Sequence, residues 1–234
     1  MDVSKPLVSV IMPCLNGRET LPAALASLIC QTYDHWELIY VDDGSEDGSA
    51  EYVESLKDNR FNVIRLGRNH GRGVAYQRAL DNANGDFIAI LDSDDWWYSR
   101  KLEKQVNYLL EHPEVDLVGG GMVIIDKTEN AVGYRSLGKI EKCKMLKLGN
   151  PPLAFATICM RKRISETFSF YPEFVVAQDE DFLRRVCMER YFTNLPEIVY
   201  VYTEYQTYDY FKTQTGLKNR IKSLKRFSDR FPFQ

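Results

Sequence analysis

The chain has 234 residues, a length that fits one domain or one domain with a small extension. Its net charge of −3 excludes the general basic field that draws proteins to nucleic acid. No run of about 18 apolar residues occurs and the N-terminus lacks a secretory pattern, so no membrane span or signal peptide is expected. The five cysteines form no CxxC pair, which favours free thiols and a cytoplasmic protein.

Strand and helix signals alternate through the first half of the sequence. Short apolar runs that end at turn residues predict buried strands at 8–12, 36–41, 62–66, 87–91 and 115–118. Apolar residues at helical spacing predict helices at 19–29, 47–57, 74–83 and 102–110. Because such alternation requires right-handed crossovers, it predicts an α/β fold with a central, mostly parallel mixed sheet flanked by helices.

The second half is less regular. Residues 126–138 predict a hairpin or an irregular segment, 181–190 a helix, and 198–202 a strand followed by a tyrosine-rich stretch. The tyrosines are typical of an edge strand and packed loop, and flat rings would also suit stacking on a sugar. Residues 218–227 predict a basic helix. Its charges are typical of a solvated helix face, and they would also fit contact with an anionic membrane.

An acidic triplet follows the strand predicted at 87–91. In parallel sheets, ligands bind outside the carboxyl ends of the strands. Asp92-Ser93-Asp94 places hard oxygen ligands there, and Mg²⁺ or Mn²⁺ would bridge such carboxylates to a nucleotide diphosphate. Acidic triplets are also common in solvated loops, but the buried strand before this one favours the metal site.

Two further acidic clusters are candidates. Asp42 ends a strand and is expected to hydrogen-bond a base or ribose, whereas Asp43 is expected to cap the following helix. Asp179-Glu180-Asp181 precedes a helix. Asp179 could cap that helix or accept the proton of an attacking sugar hydroxyl as a general base, and spacing alone favours the cap.

Five segments, taken together and in order, resemble the inverting glycosyltransferases of family 2. That family has an A-type nucleotide-sugar fold. The segments are 8–16, 27–33, 37–45, 69–71 and 83–95. The resemblance implies a single Rossmann-like domain over residues 1–215. Residues 1–118 would form its nucleotide-sugar-binding half and 119–215 its acceptor-binding half, followed by a basic helix or tail at 216–234, which we expect to take no part in the chemistry.

The resemblance also implies roles for individual residues. Asp179 takes the position of the catalytic base, and Asp94 and Asp92 those that hold Mn²⁺ or Mg²⁺. The residues implied to bind the nucleotide sugar are Pro13, Leu15, Asn16, Asp42, Asn69, Gly71, Asp92 and Ser93. UDP is the expected nucleotide, and the acceptor is expected to be a saccharide or lipid-linked saccharide in bacterial surface polysaccharide or glycolipid assembly.

Some positions depart from the family pattern. Gln178 stands where Glu is usual, and Tyr76-Gln77 stands where the family often has Arg-Asn, which leaves Arg72 and Arg78 as candidate replacements. These departures motivate one alternative, a nucleotide-sugar-binding protein without transferase activity. The QxxRW motif of processive synthases is absent, so single sugar addition is expected. A nucleotidyltransferase would need a glycine-rich phosphate loop after the first strand, and that loop has one glycine.

Overall fold

A computed structural model of the chain describes residues 5–145, 149–174, 176–204 and 210–230, with side chains in the last range only at 214–226. The strands are β1 (Val8–Cys14), β2 (Trp36–Asp42), β3 (Phe61–Arg65), β4 (Phe87–Ile90), β5 (Trp96–Trp97), β6 (Leu117–Ile125), β7 (Ala131–Arg135), β8 (Ile140–Cys143), β9 (Cys159–Arg161) and β10 (Phe192–Thr203). The helices are α1 (Leu21–Ile29), α2 (Ser49–Ser55), α3 (Arg72–Asp81), α4 (Lys101–Glu111), α5 (Lys162–Thr167), α6 (Gln178–Glu189) and α7 (Tyr210–Arg230).

The strands form one mixed sheet. Its order in the described residues is β3-β2-β1-β4-β9-β6-β10-β5, with β7 paired to β6 and β8 to β10. The strands β3, β2, β1 and β4 are parallel to one another, and so are β6 and β10. The antiparallel strand β9 joins the two parallel groups. The predicted α/β fold with a central sheet between helices is confirmed.

The centre of the sheet is apolar on both faces. Strand β1 is buried at every position because it lies between β2 and β4 and is covered on both sides. Helices α1, α2 and α4 contribute to the core on one face, and α3, α5 and α6 to the core on the other. Because β1, β2 and β4 are parallel, their carboxyl ends meet at one edge, which also carries the loops after them.

The second half of the chain and the domain boundary can be compared with the expectations. Of the two alternatives for residues 126–138, the structure shows the hairpin, in which β7 pairs with β6. In its turn, the Asp126 carboxylate accepts the N–H groups of Thr128 (2.8 Å) and Asn130 (3.0 Å). The expected boundary between 215 and 216 falls inside α7. The five cysteines, all in described ranges, are free. None of the helices in the described ranges is long and apolar enough to cross a membrane.

Candidate active site

A cavity of about 960 Å³ lies at the edge of the sheet where β1, β2 and β4 end. Its walls come from both halves of the chain. The predicted site residues that line it are Pro13, Leu15, Asn16, Asn69, Gly71, Ser93, Asp94 and Asp179. The other two, Asp42 and Asp92, are not among its lining residues in the described part of the chain. The structure therefore brings one metal candidate, Asp94, and the base candidate, Asp179, from opposite halves of the sequence into one cavity.

The loop after β1 is fastened to the loop after β2. Asn16 adopts a left-handed backbone conformation (φ 55°), which Asn tolerates better than most residues. Its N–H donates to the Ser45 hydroxyl (2.9 Å), and its side-chain oxygen accepts the Glu46 N–H (3.0 Å). Asn69 stabilises its own loop, since its side-chain oxygen accepts the Gly71 N–H (2.9 Å). These two predicted binding residues shape the wall through their amide groups.

The structure gives the adjacent carboxylates Asp42 and Asp43 surroundings that differ from the expected ones. Both are buried, but Asp43 is the one that lines the cavity. Its carboxylate accepts the backbone N–H groups of His70 (2.7 Å) and Gly71 (3.0 Å). It does not cap α2, which has no side-chain cap hydrogen bond. Asp42 instead accepts the N–H of Ser45 (3.2 Å) within its own turn. Asp43 thus ties the end of β2 to the start of α3.

Helix α3 begins at the cavity with a positive charge. Gly71 precedes it with φ 93°, a conformation that favours glycine, and Arg72 is its first residue. The Arg72 side chain lines the cavity, and its pKa is raised chiefly by the charge of Asp92, with Asp94 and Asp179 adding to the effect. A helix N-terminus and a guanidinium together favour bound anions such as phosphate.

Tyr76, one of the departures from the family pattern, contacts Asp92 directly. Its hydroxyl donates to the Asp92 carboxylate (2.5 Å), and its buried ring stacks on Phe170, with centroids 5.1 Å apart. Arg72 lies one turn earlier on the same helix face, because residues four apart are neighbours. Of the two arginines considered as replacements, Arg72 lines the cavity and Arg78 is exposed elsewhere on α3.

The loop after β4 carries the candidate metal ligands. Ser93 fixes this loop to α1, since its carbonyl accepts the Thr20 hydroxyl (2.7 Å). The described residues contain no group of three His, Cys, Asp or Glu side chains that could hold a metal ion. Asp92 and Asp94 supply two carboxylates, which is the donor set that Mg²⁺ or Mn²⁺ uses when substrate phosphates complete its shell. The residues therefore fit a cation that binds together with a nucleotide diphosphate.

Asp179 lies at the start of α6 but does not cap it. The N-cap is Ala177, which has a left-handed conformation (φ 63°), and Asp179 is the second helical residue. The capping alternative is therefore wrong. Burial is the main reason that the pKa of Asp179 is raised; nearby Glu180 and Asp92 raise it further, and Arg72 opposes them. A carboxylate with a raised pKa is a stronger proton acceptor, as general-base catalysis requires.

The other two acids of the triplet are paired with cations. Glu180 accepts two hydrogen bonds from Arg220 (2.8 and 2.6 Å). Asp181 is buried and accepts hydrogen bonds from Arg185 (2.9 Å) and the Ser223 hydroxyl (2.6 Å). Among the described residues no ion pair holds Asp179, which faces the cavity.

Helix α7 contributes to the wall of the cavity, which the sequence analysis did not predict. Arg220 lines the cavity, Asn219 donates to the Val176 carbonyl (2.9 Å), and Ser223 is buried against α6. Its small polar residues therefore face the protein. Leu217 (52% exposed) and Ile221 (46% exposed) face outward instead, between lysines. Leu217 and Ile221 therefore form an exposed apolar stripe on α7 at the surface of the described chain.

Sequence reasoning missed Asp43, Arg135 and Arg220 as cavity residues. Their contacts join segments far apart in the chain, so spacing carries no signal for them. Tyr202 also lines the cavity and belongs to the tyrosine stretch for which sugar stacking was an alternative. Tyr205 and Tyr208 of that stretch lie outside the described residues.

Comparison with known proteins identifies the class. The model for "Glycosyl transferase family 2" matches residues 9–168. A β-1,3-glucosyltransferase of Escherichia coli, WfgD, whose name specifies UDP-Glc and α-D-GlcNAc-diphosphoundecaprenol, is 34% identical over 164 residues, covering 70% of this chain and 64% of that protein. The chain spans 43% to 64% of the length of the first curated relatives it matches.

Solved structures share the fold. Residues 1–349 of S. aureus TarS in complex with UDP-GlcNAc superpose with a TM-score of 0.73 at 22% identity, covering 92% of this chain and 66% of that one. The Pyrobaculum calidifontis mannosyltransferase PcManGT with GDP-Man and Mn²⁺ gives 0.72 at 17%, covering 99% and 66%. The fold is the A-type glycosyltransferase fold, as the resemblance implied. The chain belongs to glycosyltransferase family 2.

Proposed function

We propose that the chain transfers a sugar, with inversion, from a nucleotide-diphosphate sugar to an acceptor hydroxyl, assisted by Mn²⁺ or Mg²⁺. One observation carries this proposal. The cavity places Asp94, at the carboxyl end of β4, and Asp179, at the start of α6, on the walls of the same space, with Arg72 interacting electrostatically with both. A transferase needs an anion-binding donor side and a proton-accepting acceptor side, and these residues supply both.

The donor side would stabilise the leaving group. Arg72 and the N-terminus of α3 would bind the diphosphate, while Asp92 and Asp94 would hold the divalent cation beside it. The cation supplies positive charge that lowers the energy of the departing nucleotide diphosphate. UDP is the proposed nucleotide, because the matched relative uses UDP-Glc and the TarS structure contains UDP-GlcNAc.

The acceptor side would perform the bond-making step. Asp179 takes the proton from the acceptor hydroxyl as that oxygen bonds to the anomeric carbon, and the electron pair of the breaking bond goes to the diphosphate oxygen. A single displacement of this kind inverts the anomeric centre. It needs one base, and Asp179 is the member of its triplet without an ion pair among the described residues. The name of the E. coli relative, a β-glucosyltransferase that uses UDP-Glc, is consistent with inversion.

The proposed acceptor is a saccharide or lipid-linked saccharide of bacterial surface polysaccharide or glycolipid assembly. The lipid-linked acceptor in the name of the E. coli relative supports it. The outward apolar stripe of α7, with Lys218 and Lys222 beside it, supports peripheral contact with the inner face of an anionic membrane. In the proposed organisation, residues 1–118 bind the nucleotide sugar and residues 119–215 bind the acceptor. Helix α7 adds to the acceptor side of the cavity.

Transfer and mere binding are separated by one experiment. UDP-glucose and UDP-GlcNAc are incubated with the chain and Mn²⁺, with and without a synthetic GlcNAc-diphospholipid, and UDP release is measured. We expect acceptor-dependent release and a β-linked product by NMR coupling constants. Tight UDP binding with no release under either condition would instead support the binding-protein alternative.

The donor side is tested by calorimetry with matched controls. Asp94→Ala should abolish the Mn²⁺-dependent part of UDP affinity, whereas Asp81→Ala, an exposed carboxylate at the other end of α3, should not. Arg72→Ala should weaken UDP binding about 10-fold or more, since charged hydrogen bonds contribute about 1.5–3 kcal/mol each. Arg78→Ala is its control. Equal affinities for the Arg72 and Arg78 variants would remove Arg72 from the diphosphate site.

A further inference from the structure

A buried acid fixes the loop of the proposed metal ligands to a distant strand. Asp95 directly follows Asp94 but is only 1% exposed. Its carboxylate accepts the hydroxyl of Tyr200 (2.8 Å) and the backbone N–H of Thr203 (2.8 Å), both on β10. The loop after β4 is therefore attached to a strand that lies more than 100 residues later in the chain.

The Tyr200 hydroxyl makes a second contact with the same loop. Its oxygen accepts the backbone N–H of Asp92 (3.3 Å) while its proton goes to Asp95. The Asp92 carboxylate, in turn, accepts the Tyr76 hydroxyl. Asp92 is thus held through its backbone by β10 and through its side chain by α3.

This network is costly, and packing alone does not require it. Asp95 carries a polar carboxyl group into a site that is only 1% exposed, which has a desolvation cost, and the hydrogen bonds from Tyr200 and Thr203 offset part of that cost. Apolar side chains could fill the same volume without this desolvation. In the described chain, neither Asp95 nor Tyr200 lines the cavity. Their hydrogen bonds go to each other, to the Thr203 N–H and to the Asp92 N–H, so these contacts point to control of the loop geometry.

We propose that Tyr200 and Asp95 are positioning residues that hold the backbone of residues 92–94 so that the carboxylates of Asp92 and Asp94 meet one divalent cation. This inference rests on the proposed metal-assisted donor binding. Two carboxylates share a small cation only when their separation is fixed, because Mg²⁺ and Mn²⁺ bind at short, nearly octahedral distances. If the loop were no longer attached to β10, the separation between the Asp92 and Asp94 carboxylates would vary, although both carboxylates would still be present.

The test measures UDP affinity by calorimetry with and without Mn²⁺ in Tyr200→Phe. This variant keeps the ring and removes the hydroxyl. We expect the gain in affinity that Mn²⁺ gives to fall about 10-fold, with affinity in EDTA unchanged, as expected for loss of one hydrogen bond to a charged or buried group. The matched control is Tyr33→Phe, because the Tyr33 hydroxyl is also buried and donates to the Pro6 carbonyl (2.5 Å) away from the cavity. Melting temperatures of both variants are recorded.

The outcomes are distinct. A Tyr200→Phe protein with the wild-type gain from Mn²⁺ overturns the inference, and so does a Tyr33→Phe protein with the same loss, since general destabilisation would then explain it. Asp95→Asn, which keeps the shape but removes one acceptor, should reproduce the Tyr200→Phe loss, and a wild-type gain in that variant also overturns it. If the wild-type chain gains nothing from Mn²⁺, the metal proposal itself fails and this inference with it.

Discussion

Replacing each acid of the 179–181 triplet by its amide should give three different results, because the three carboxylates have different surroundings. Asp179 and Glu180 both line the cavity, but only Glu180 is paired with a cation there, Arg220, among the described residues; Asp181 is buried against Arg185. The substitutions Asp179→Asn, Glu180→Gln and Asp181→Asn are nearly isosteric, so each removes a charge with little change in packing.

The magnitudes follow from these surroundings. Loss of a general base lowers the rate about 10²–10⁴-fold, so Asp179→Asn should transfer sugar that much more slowly with unchanged donor affinity. The Glu180–Arg220 pair, with side chains 28% and 51% exposed, contributes about 0–1 kcal/mol, so Glu180→Gln should stay within a few-fold of wild type. Breaking the buried Asp181–Arg185 pair, 2% and 7% exposed, costs about 3–5 kcal/mol. That lowers the melting temperature by on the order of 10 °C.

The assay combines initial transfer rates, UDP affinity by calorimetry and thermal melting for the three variants. Each variant serves as a control for the other two, since all lie within one turn of α6. Near wild-type transfer by Asp179→Asn would refute the base assignment. A rate loss at Glu180→Gln with an unchanged melting temperature would move the base by one residue, and an unaffected melting temperature in Asp181→Asn would contradict the buried pair.

Asp43→Ala should weaken UDP binding about 10-fold, because it frees the N–H groups at the start of α3, and Asp42→Ala should weaken it less; calorimetry showing the opposite order would restore Asp42 to the site. Burial lowers the pKa of Lys101 to about 7, so between pH 7 and 10.5 the unfolded chain binds a proton that the folded chain does not. From pH 7 to 9, urea unfolding should show wild-type stability rising about 2 kcal/mol relative to Lys101→Met; parallel curves would contradict that pKa. Ile221→Glu should reduce salt-sensitive sedimentation with anionic vesicles, whereas Leu110→Glu, an exposed apolar position on α4, should not; equal sedimentation by both would exclude the α7 stripe as the membrane contact.

The sequence predicted the fold of residues 1–118 well because the central strands there are buried on both faces. Such strands appear as continuous apolar runs, as at β1 and β4. The short strands β5 and β9, with two and three residues, carry no periodic signal. Strand β6 continues to Ile125, beyond the predicted end at residue 118, and three of its residues are the glycines at 119–121. Side chains of Asn194 and Leu153 occupy the space of a Cβ at Gly119, and the Val199 side chain occupies that space at Gly120.

The site residues that could be predicted are those whose positions are determined by the ends of the strands. The acidic triplet at residue 92 follows a buried strand, so its place at the sheet edge follows from topology alone. The choice between Asp42 and Asp43 was not predictable, because it depends on N–H groups 27 and 28 residues away. Arg220 was missed for the same reason, since its partner Glu180 lies 40 residues earlier and the basic helix suggested a membrane role.

The packing of α7 against α6 has a consequence for biosynthesis. The ribosome makes the chain from its N-terminus, so β1 to β4 and the loop carrying Asp94 emerge before α7 exists. A nascent chain that ends before Ser223 leaves Arg184 and Asp181 of α6 without the hydroxyl that both contact. Its cavity also lacks Arg220. Ribosome-stalled chains should therefore acquire the strands and loops of residues 1–118 first, and a complete cavity only once α7 has left the exit tunnel.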